Sequence, residues 1–294
     1  MTAARVVVVA GKGGVGKTTV TAVLARAAAA DGRRVLVVEL DGKPTIDEML
    51  PARPGHDLTV MHLSAPEALE EYLNDHGFKR IAKRLNRTGV IDMVGTAAPG
   101  IDDVVVLGKI KALDLTGEYD LIVVDGPAAG HAVTFLTSAA ALGQAARGGP
   151  VKAQADDVLE LLGDPDRCVA VLVTLPETTP VNETIETAFA LEEQVGIGLG
   201  PVVVNAVDVG AALPGADERA EVLRDRPPDE AHALEYAAAY RQSRRAMERE
   251  AIDRLATGLP LRQIHLGTVA ARAGLTADDI DALADGLIDD EIGT

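Results

Sequence analysis

Tryptophan is absent from this 294-residue chain, and aromatic residues make up only 2% of it. A core must therefore be built from aliphatic side chains and alanine, which the 47% hydrophobic fraction supplies. There is a single cysteine, Cys168, and it stands before the apolar run Val169 to Val173, so it reads as a buried thiol. Basic residues are few, 28 against 45 acidic ones, for a net charge of −17. That sign is wrong for holding DNA through its phosphates and wrong for lying on anionic lipid. No stretch approaches the roughly 18 uncharged apolar residues of a membrane span, and the apolar run near Val6 is too short for a signal peptide. The expectations are a cytoplasmic protein, no nucleic-acid partner and no direct membrane insertion. The segment Ile280 to Glu291 is amphipathic but acidic, and reads as a last helix packed on the body.

What is present is a glycine-rich run, Gly11-Lys12-Gly13-Gly14-Val15-Gly16-Lys17-Thr18-Thr19, directly after the apolar stretch Val6 to Ala10. Gly11, Gly16, Lys17 and Thr18 satisfy the phosphate-loop pattern G-x-x-x-x-G-K-S/T. In such a loop glycines let successive backbone N–H groups turn inward around phosphate oxygens. A helix beginning at Lys17 would aim its positive end at the same anion. The candidate nucleotide contacts are Gly13, Gly14, Val15, Gly16, Lys17, Thr18 and Thr19. Lys17 is suited to the β- and γ-phosphates and the Thr18 hydroxyl to Mg²⁺, with ATP as the nucleotide.

Lys12 departs from a plain loop, because a second cation five residues before Lys17 is costly unless it faces further negative charge. With it, the run resembles the deviant phosphate-binding loop, K-G-G-x-G-K-S/T, of the nucleotide-switch ATPases. These include the arsenite-pump and tail-anchor-targeting ATPases, the division-site and partition ATPases and nitrogenase iron protein. The resemblance implies that Lys12 reaches a partner subunit's nucleotide, and hence a sandwich dimer.

Continuous valine-rich runs rather than alternating ones predict a parallel sheet covered on both faces, an α/β fold of the phosphate-loop NTPase kind. The runs are Val6 to Ala10, Arg34 to Leu40, Leu58 to Leu63, Leu121 to Val124, Cys168 to Thr174, Pro201 to Asn205 and, weakly, Leu261 to Leu266. Helical signals lie between them at Lys17 to Asp31, Pro66 to Asp75, His131 to Ala146, Val181 to Gln194 and Glu230 to Ala256. No internal repeat is visible. The chain reads as one domain over 1–294, with a helical insertion at about 75–117 that carries the basic residues Lys79, Arg80, Lys83, Arg84 and Arg87.

Asp125, at the end of a buried run, stands where a phosphate-loop ATPase places the carboxylate that holds a magnesium-bound water. The stretch Asp125-Gly126-Pro127-Ala128-Ala129-Gly130-His131 resembles the D-x-A-P-x-G-H switch of the arsenite-pump and tail-anchor ATPases, with the proline one place early. His131 is either part of that switch or a packed helix-start residue. Asp41 falls on the aspartate of the family's first switch and is the candidate for orienting the attacking water, although Gly42-Lys43-Pro44 replaces the family's Pro-Ala-His. Pro99-Gly100-Ile101-Asp102-Asp103 resembles the P-G-x-x-E segment that opens the helix before the second switch strand. Asn205 matches a position whose amide contacts the base, and an asparagine can read adenine through one donor and one acceptor. Thr174, Pro176, Glu177 and Asn182-Glu183-Thr184 also resemble the family's fourth strand and following helix.

The resemblance implies a Mg²⁺-dependent, dimeric switch ATPase with catalytic residues Lys12, Lys17 and Asp41, coupled to an unidentified protein partner or transport process. One cysteine excludes an arsenite site of about three thiolates and an iron–sulfur bridge. Five scattered methionines are too few for a groove that holds a client helix. Three readings stay open: a homodimeric ATPase, a low-turnover subunit of a heterodimer with a paralogue, and a metabolic phosphotransfer enzyme.

Overall fold

A computed structural model describes residues 4–40, 45–75, 77, 100–270 and 274–292. Asp41, residues 42–44, Lys79 to Arg87 and Pro99 lie outside the described residues. The strands are β1 (Val6–Gly11), β2 (Val35–Glu39), β3 (Leu58–His62), β4 (Leu121–Ala128), β5 (Cys168–Thr174), β6 (Gly198–Leu199), β7 (Val202–Val207) and β8 (Gln263–Gly267). They form one sheet in the order β3-β2-β4-β1-β5-β7-β8, with β6 beside β5. Every pairing is parallel. Between them run α1 (Lys17–Ala30), α2 (Thr45–Met49), α3 (Ala65–Asp75), α4 (Ile101–Thr116), α5 (Ala129–Ala145), α6 (Pro150–Leu162), α7 (Thr178–Gln194), α8 (Ala216–Leu223), α9 (Pro228–Gly258) and α10 (Ala277–Ile292). The expected parallel sheet with helices on both faces is what the chain forms.

The continuous apolar runs are explained by two cores, one on each face. Val6, Val8, Leu36, Val38, Ile122, Val124, Ala170 and Leu172 point into one, which Leu107 and Ile110 of α4, Leu136 of α5, Leu161 of α6, Leu191 of α7 and Leu255 of α9 complete. Val7, Val9, Val35, Val37, Leu121, Val123, Val171 and Val173 point into the other, closed by α1, by Ile46 of α2 and by Ile280, Ala284 and Leu287 of α10. Successive strand residues face opposite sides, so both must be apolar where both sides are covered. Cys168 is fully buried in the first core, and burial pushes its thiol up to about 12, a non-reactive state at neutral pH.

Of the segment expected as a helical insertion, residues 78–99 lie outside the described residues. Its last third is α4, which opens after Gly100 at φ 86° with Asp102 and Asp103 in the first turn and stops at Gly117 with φ 67°. Val104, Val105, Leu107 and Ile110 belong to the main core, so α4 is part of the body and not an appendage. Helix α6 was not legible in the sequence; its start is marked by Pro150 at the first turn after Gly149, and Ala155, Val158, Leu161 and Leu162 form its buried stripe. Among the described residues no helix is long and apolar enough to cross a membrane.

The acidic α10 is fastened to α1 through Arg26, which is only 2% exposed. Its guanidinium lies 2.9 Å from the Asp281 carboxylate, donates to the Pro51 carbonyl at 3.0 Å and meets His56 Nδ1 at 3.2 Å. Removing one partner of a buried ion pair leaves the others desolvated and unmatched. Arg26→Ala is therefore expected to destabilise the protein by about 3 kcal/mol, with Arg26→Met losing less because the stem still packs. Urea unfolding midpoints of the two variants check this.

Candidate nucleotide site

The sheet order places β1 between β4 and β5, and the C-terminal ends of all three open on the same edge. The chain leaves β1 at Gly11, where a Cβ would meet the Val173 carbonyl at 2.4 Å, so only glycine lets the loop start here. It re-enters helix at Lys17 through Gly16, the helix N-cap, at φ 89°. A Cβ on Gly16 would lie 2.3 Å from the Asn205 amide nitrogen. Val15 turns inward and is buried in the core of the α1 face, while Gly13 and Gly14 are exposed at the loop's outer rim. The loop is thus anchored at its middle and at both ends, and its open side is backbone.

Under the loop lies Asp125 of β4, 9% exposed. The Thr18 hydroxyl donates to its Oδ2 at 2.7 Å and the buried Thr21 hydroxyl to its Oδ1 at 3.2 Å. A threonine hydroxyl and a carboxylate in direct contact at a helix N-terminus make an oxygen-only donor set, which suits a hard cation such as Mg²⁺. Lys17 Nζ donates to the Lys12 carbonyl at 3.3 Å, so its ammonium lies back over the loop. Thr19, half-buried, occupies the first turn of α1.

Two residues picked out from the sequence make contacts it did not foretell. Lys12 Nζ donates to Glu183 Oε1 of α7 at 2.5 Å, within the same chain, and both side chains stay about 40% exposed. Asn205 donates through Nδ2 to the Val15 carbonyl at 2.9 Å, which makes it a strut of the loop. It sits where β7 breaks register with β8, beside Ala206 at φ 60°. His131 is exposed in the first turn of α5 and lines a cleft with Leu40, Asp102, Asp103, Pro127 and Phe135. Burial, with Asp102 beside it, raises the Asp103 carboxyl above its ordinary range, and His131 opposes that.

A charged relay beside Asp125 escaped the sequence reading. Glu39, the last residue of β2, pairs in register with Asp125 and is 3% exposed. Its Oε2 lies 2.6 Å from His62 Nδ1, and His62 Nε2 meets Asp47 Oδ2 of α2 at 2.9 Å. An acid placed at the end of a buried strand, with a histidine at the end of the neighbouring one, was the available signal. Burial raises the Glu39 carboxyl, with His62 opposing. The hydrogen bond to Asp47, then the pull of both carboxylates, raises His62.

A parallel α/β sheet with this loop and this threonine–aspartate pair defines a phosphate-loop nucleotide-binding protein. Residues 4–148 match the family model described as anion-transporting ATPase. It is 37% identical over 223 residues to ATPase BagA of Mycobacterium tuberculosis, an alignment that takes in 68% of this chain and 64% of that one. It is 28% identical over 239 residues to the arsenical pump-driving ATPase of Escherichia coli, across 81% of this chain and 40% of that one. The chain therefore spans just under two thirds of the mycobacterial relative and less than half of the other.

The relay makes stability depend on pH in a defined direction. A histidine raised above its ordinary 6.5 adds stability that is complete below that value and is lost as pH rises through the folded value. The raised Glu39 acts in the same sense, because its ionised form is the desolvated one. Between about pH 6 and pH 8.5 the urea midpoint of the native chain is expected to fall, and to fall less in His62→Gln.

Proposed function

We propose that the protein is a Mg²⁺-dependent ATPase that works as a dimeric switch, its nucleotide state coupled to a protein partner or a transport process. The observation that carries this is the Thr18–Asp125 contact directly beneath the loop, with Lys17 and Lys12 as two separate cations at its rim. The relatives, an ATPase and an arsenical pump-driving ATPase by name, support the same chemistry.

In this reading the backbone of Gly13 to Thr19 cradles the phosphates and Lys17 turns from the Lys12 carbonyl to their oxygens. Thr18 would hold the magnesium directly and Asp125 through a bound water. The metal, when bound, neutralises charge on the β- and γ-phosphate oxygens. Asp41, two residues beyond Glu39, keeps its assignment as the residue that orients the attacking water. Asn205 fixes Val15 and leaves its carboxamide oxygen for the base.

Lys12 is the element that makes the site a shared one. Its pair with Glu183 is half exposed on both sides, and such pairs contribute under about 1 kcal/mol. A charge-assisted hydrogen bond to a phosphate contributes about 1.5–3 kcal/mol. Lys12 can therefore leave Glu183 for the nucleotide of a second subunit at a net gain. Gly42-Lys43-Pro44 in place of Pro-Ala-His supports the second reading, a subunit that binds ATP with little turnover beside a paralogue.

Purified protein is expected to hydrolyse ATP with magnesium, and Lys17→Ala to lower the rate by at least about 100-fold. ATP binding without turnover would favour the low-turnover reading, and absence of both would reject the ATPase. Lys12→Ala is expected to keep ATP affinity within about fivefold while abolishing any dimer that forms only with ATP. An ATP-dependent dimer that persists in this variant removes the shared site.

A further inference from the structure

Helix α9 is 31 residues long and buries only Ala238, Glu248, Ala251 and Leu255. At 1.5 Å per residue it extends about 46 Å. Its free side carries large apolar side chains among the polar ones: Tyr236 is 73% exposed, Tyr240 61% and Met247 58%. These are two of the four tyrosines in a chain with very few rings. Arg241 and Arg245 hold the helix from another side by gripping Asp208, at 2.6 and 2.9 Å, which fixes the roll of the helix.

At 100° per residue, Asp229, Tyr236, Tyr240, Ser243, Met247 and Arg254 fall on one narrow stripe. All six are exposed. Their successive separations are 7, 4, 3, 4 and 7 residues, a 3.5-residue seam that reads the same from either end. A two-fold axis demands that symmetry, because residue i must meet residue j while j meets i. With the axis between residues 241 and 242, an antiparallel second helix sets Asp229 against Arg254, Tyr236 against Met247 and Tyr240 against Ser243. Ala237 then faces Ala246 beside the seam, so the helices can approach closely. A parallel pair would instead put Arg254 on Arg254 and Asp229 on Asp229, a like-charge clash at both ends.

We infer that α9 is a homotypic docking helix: a second copy of this chain packs antiparallel along the Asp229–Arg254 stripe. The charge pattern closes on itself with no net charge left over, and the apolar residues meet at the centre. This pairing uses no nucleotide and does not depend on Lys12, so it stands or falls apart from the ATP-dependent dimer.

Sedimentation equilibrium on the full chain without nucleotide provides the test. The expected mass is twice the 30.6 kDa of one chain. Tyr240→Glu is expected to return it to one chain mass with the thermal unfolding midpoint unchanged. Asp229→Arg and Arg254→Asp are each expected to weaken the dimer at least about fivefold, and the two together to restore it. A wild-type monomer at about 50 µM would overturn the inference; at that concentration a pair is mostly apart only when its Kd lies well above about 50 µM. So would a dimer indifferent to Tyr240→Glu, or a double reversal that fails to rescue. Lys12→Ala is expected to leave this dimer intact, and its loss there would also overturn the independence claimed.

Discussion

The placement of β1 between β4 and β5 is the constraint from which the site follows. Parallel pairing on both sides puts three strand ends on one edge, where the loop leaves β1 and Asp125 follows the apolar part of β4. The backbones come so close that a Cβ on Gly11 would meet Val173 O, and one on Gly126 would meet Val9 O, each at 2.4 Å. Those two glycines set the distance between strand and loop. The Thr18–Asp125 hydrogen bond is then a consequence of strand spacing, and the helix dipole of α1 is aimed by the same geometry.

The chain as a whole carries a surplus of acid, 45 acidic residues against 28 basic ones, and manages it by local pairing. Buried Asp114 of α4 is held by Arg167 at 2.7 Å and Arg5 at 3.3 Å, Asp208 by Arg241 and Arg245, and Asp281 by Arg26. Glu39 is the exception, since it lies beside Asp125 in register and relies on a titrating partner, His62. The consequence is a site whose negative charge near Asp125 varies with pH.

How much of this was legible depended on how local each signal was. The loop, α1 and strands β1, β2, β4, β5 and β7 could be read because glycine spacing and unbroken valine-rich runs are local and have one physical meaning, whereas β3 and β8, half-buried and poor in valine, gave weaker signals. Asp125 could be read because it ends such a run. Helix α6 escaped the reading, and α4 was anticipated only through the resemblance carried by Pro99 to Asp103, because its own composition is valine-rich, a β-like signal overridden by its packing and its flanking glycines. The partners of Lys12 and Asn205 lie 171 and 190 residues away along the chain, and no spacing rule reaches that far. The Glu39–His62–Asp47 relay joins three elements, and its first member looked like the tail of a strand.

The central strand also sets a problem of order during synthesis. Val6–Gly11 is made early, yet its two neighbours begin at Leu121 and Cys168, and the Val15 strut waits for Asn205. As the ribosome emits the chain, a fully apolar valine ribbon with both edges unpaired must persist while the more than 100 residues before its first neighbour are made. Such long-range closure is slow and leaves the nascent chain prone to sticking to others. A strand that the finished protein buries at its centre is therefore one that its synthesis leaves long unprotected.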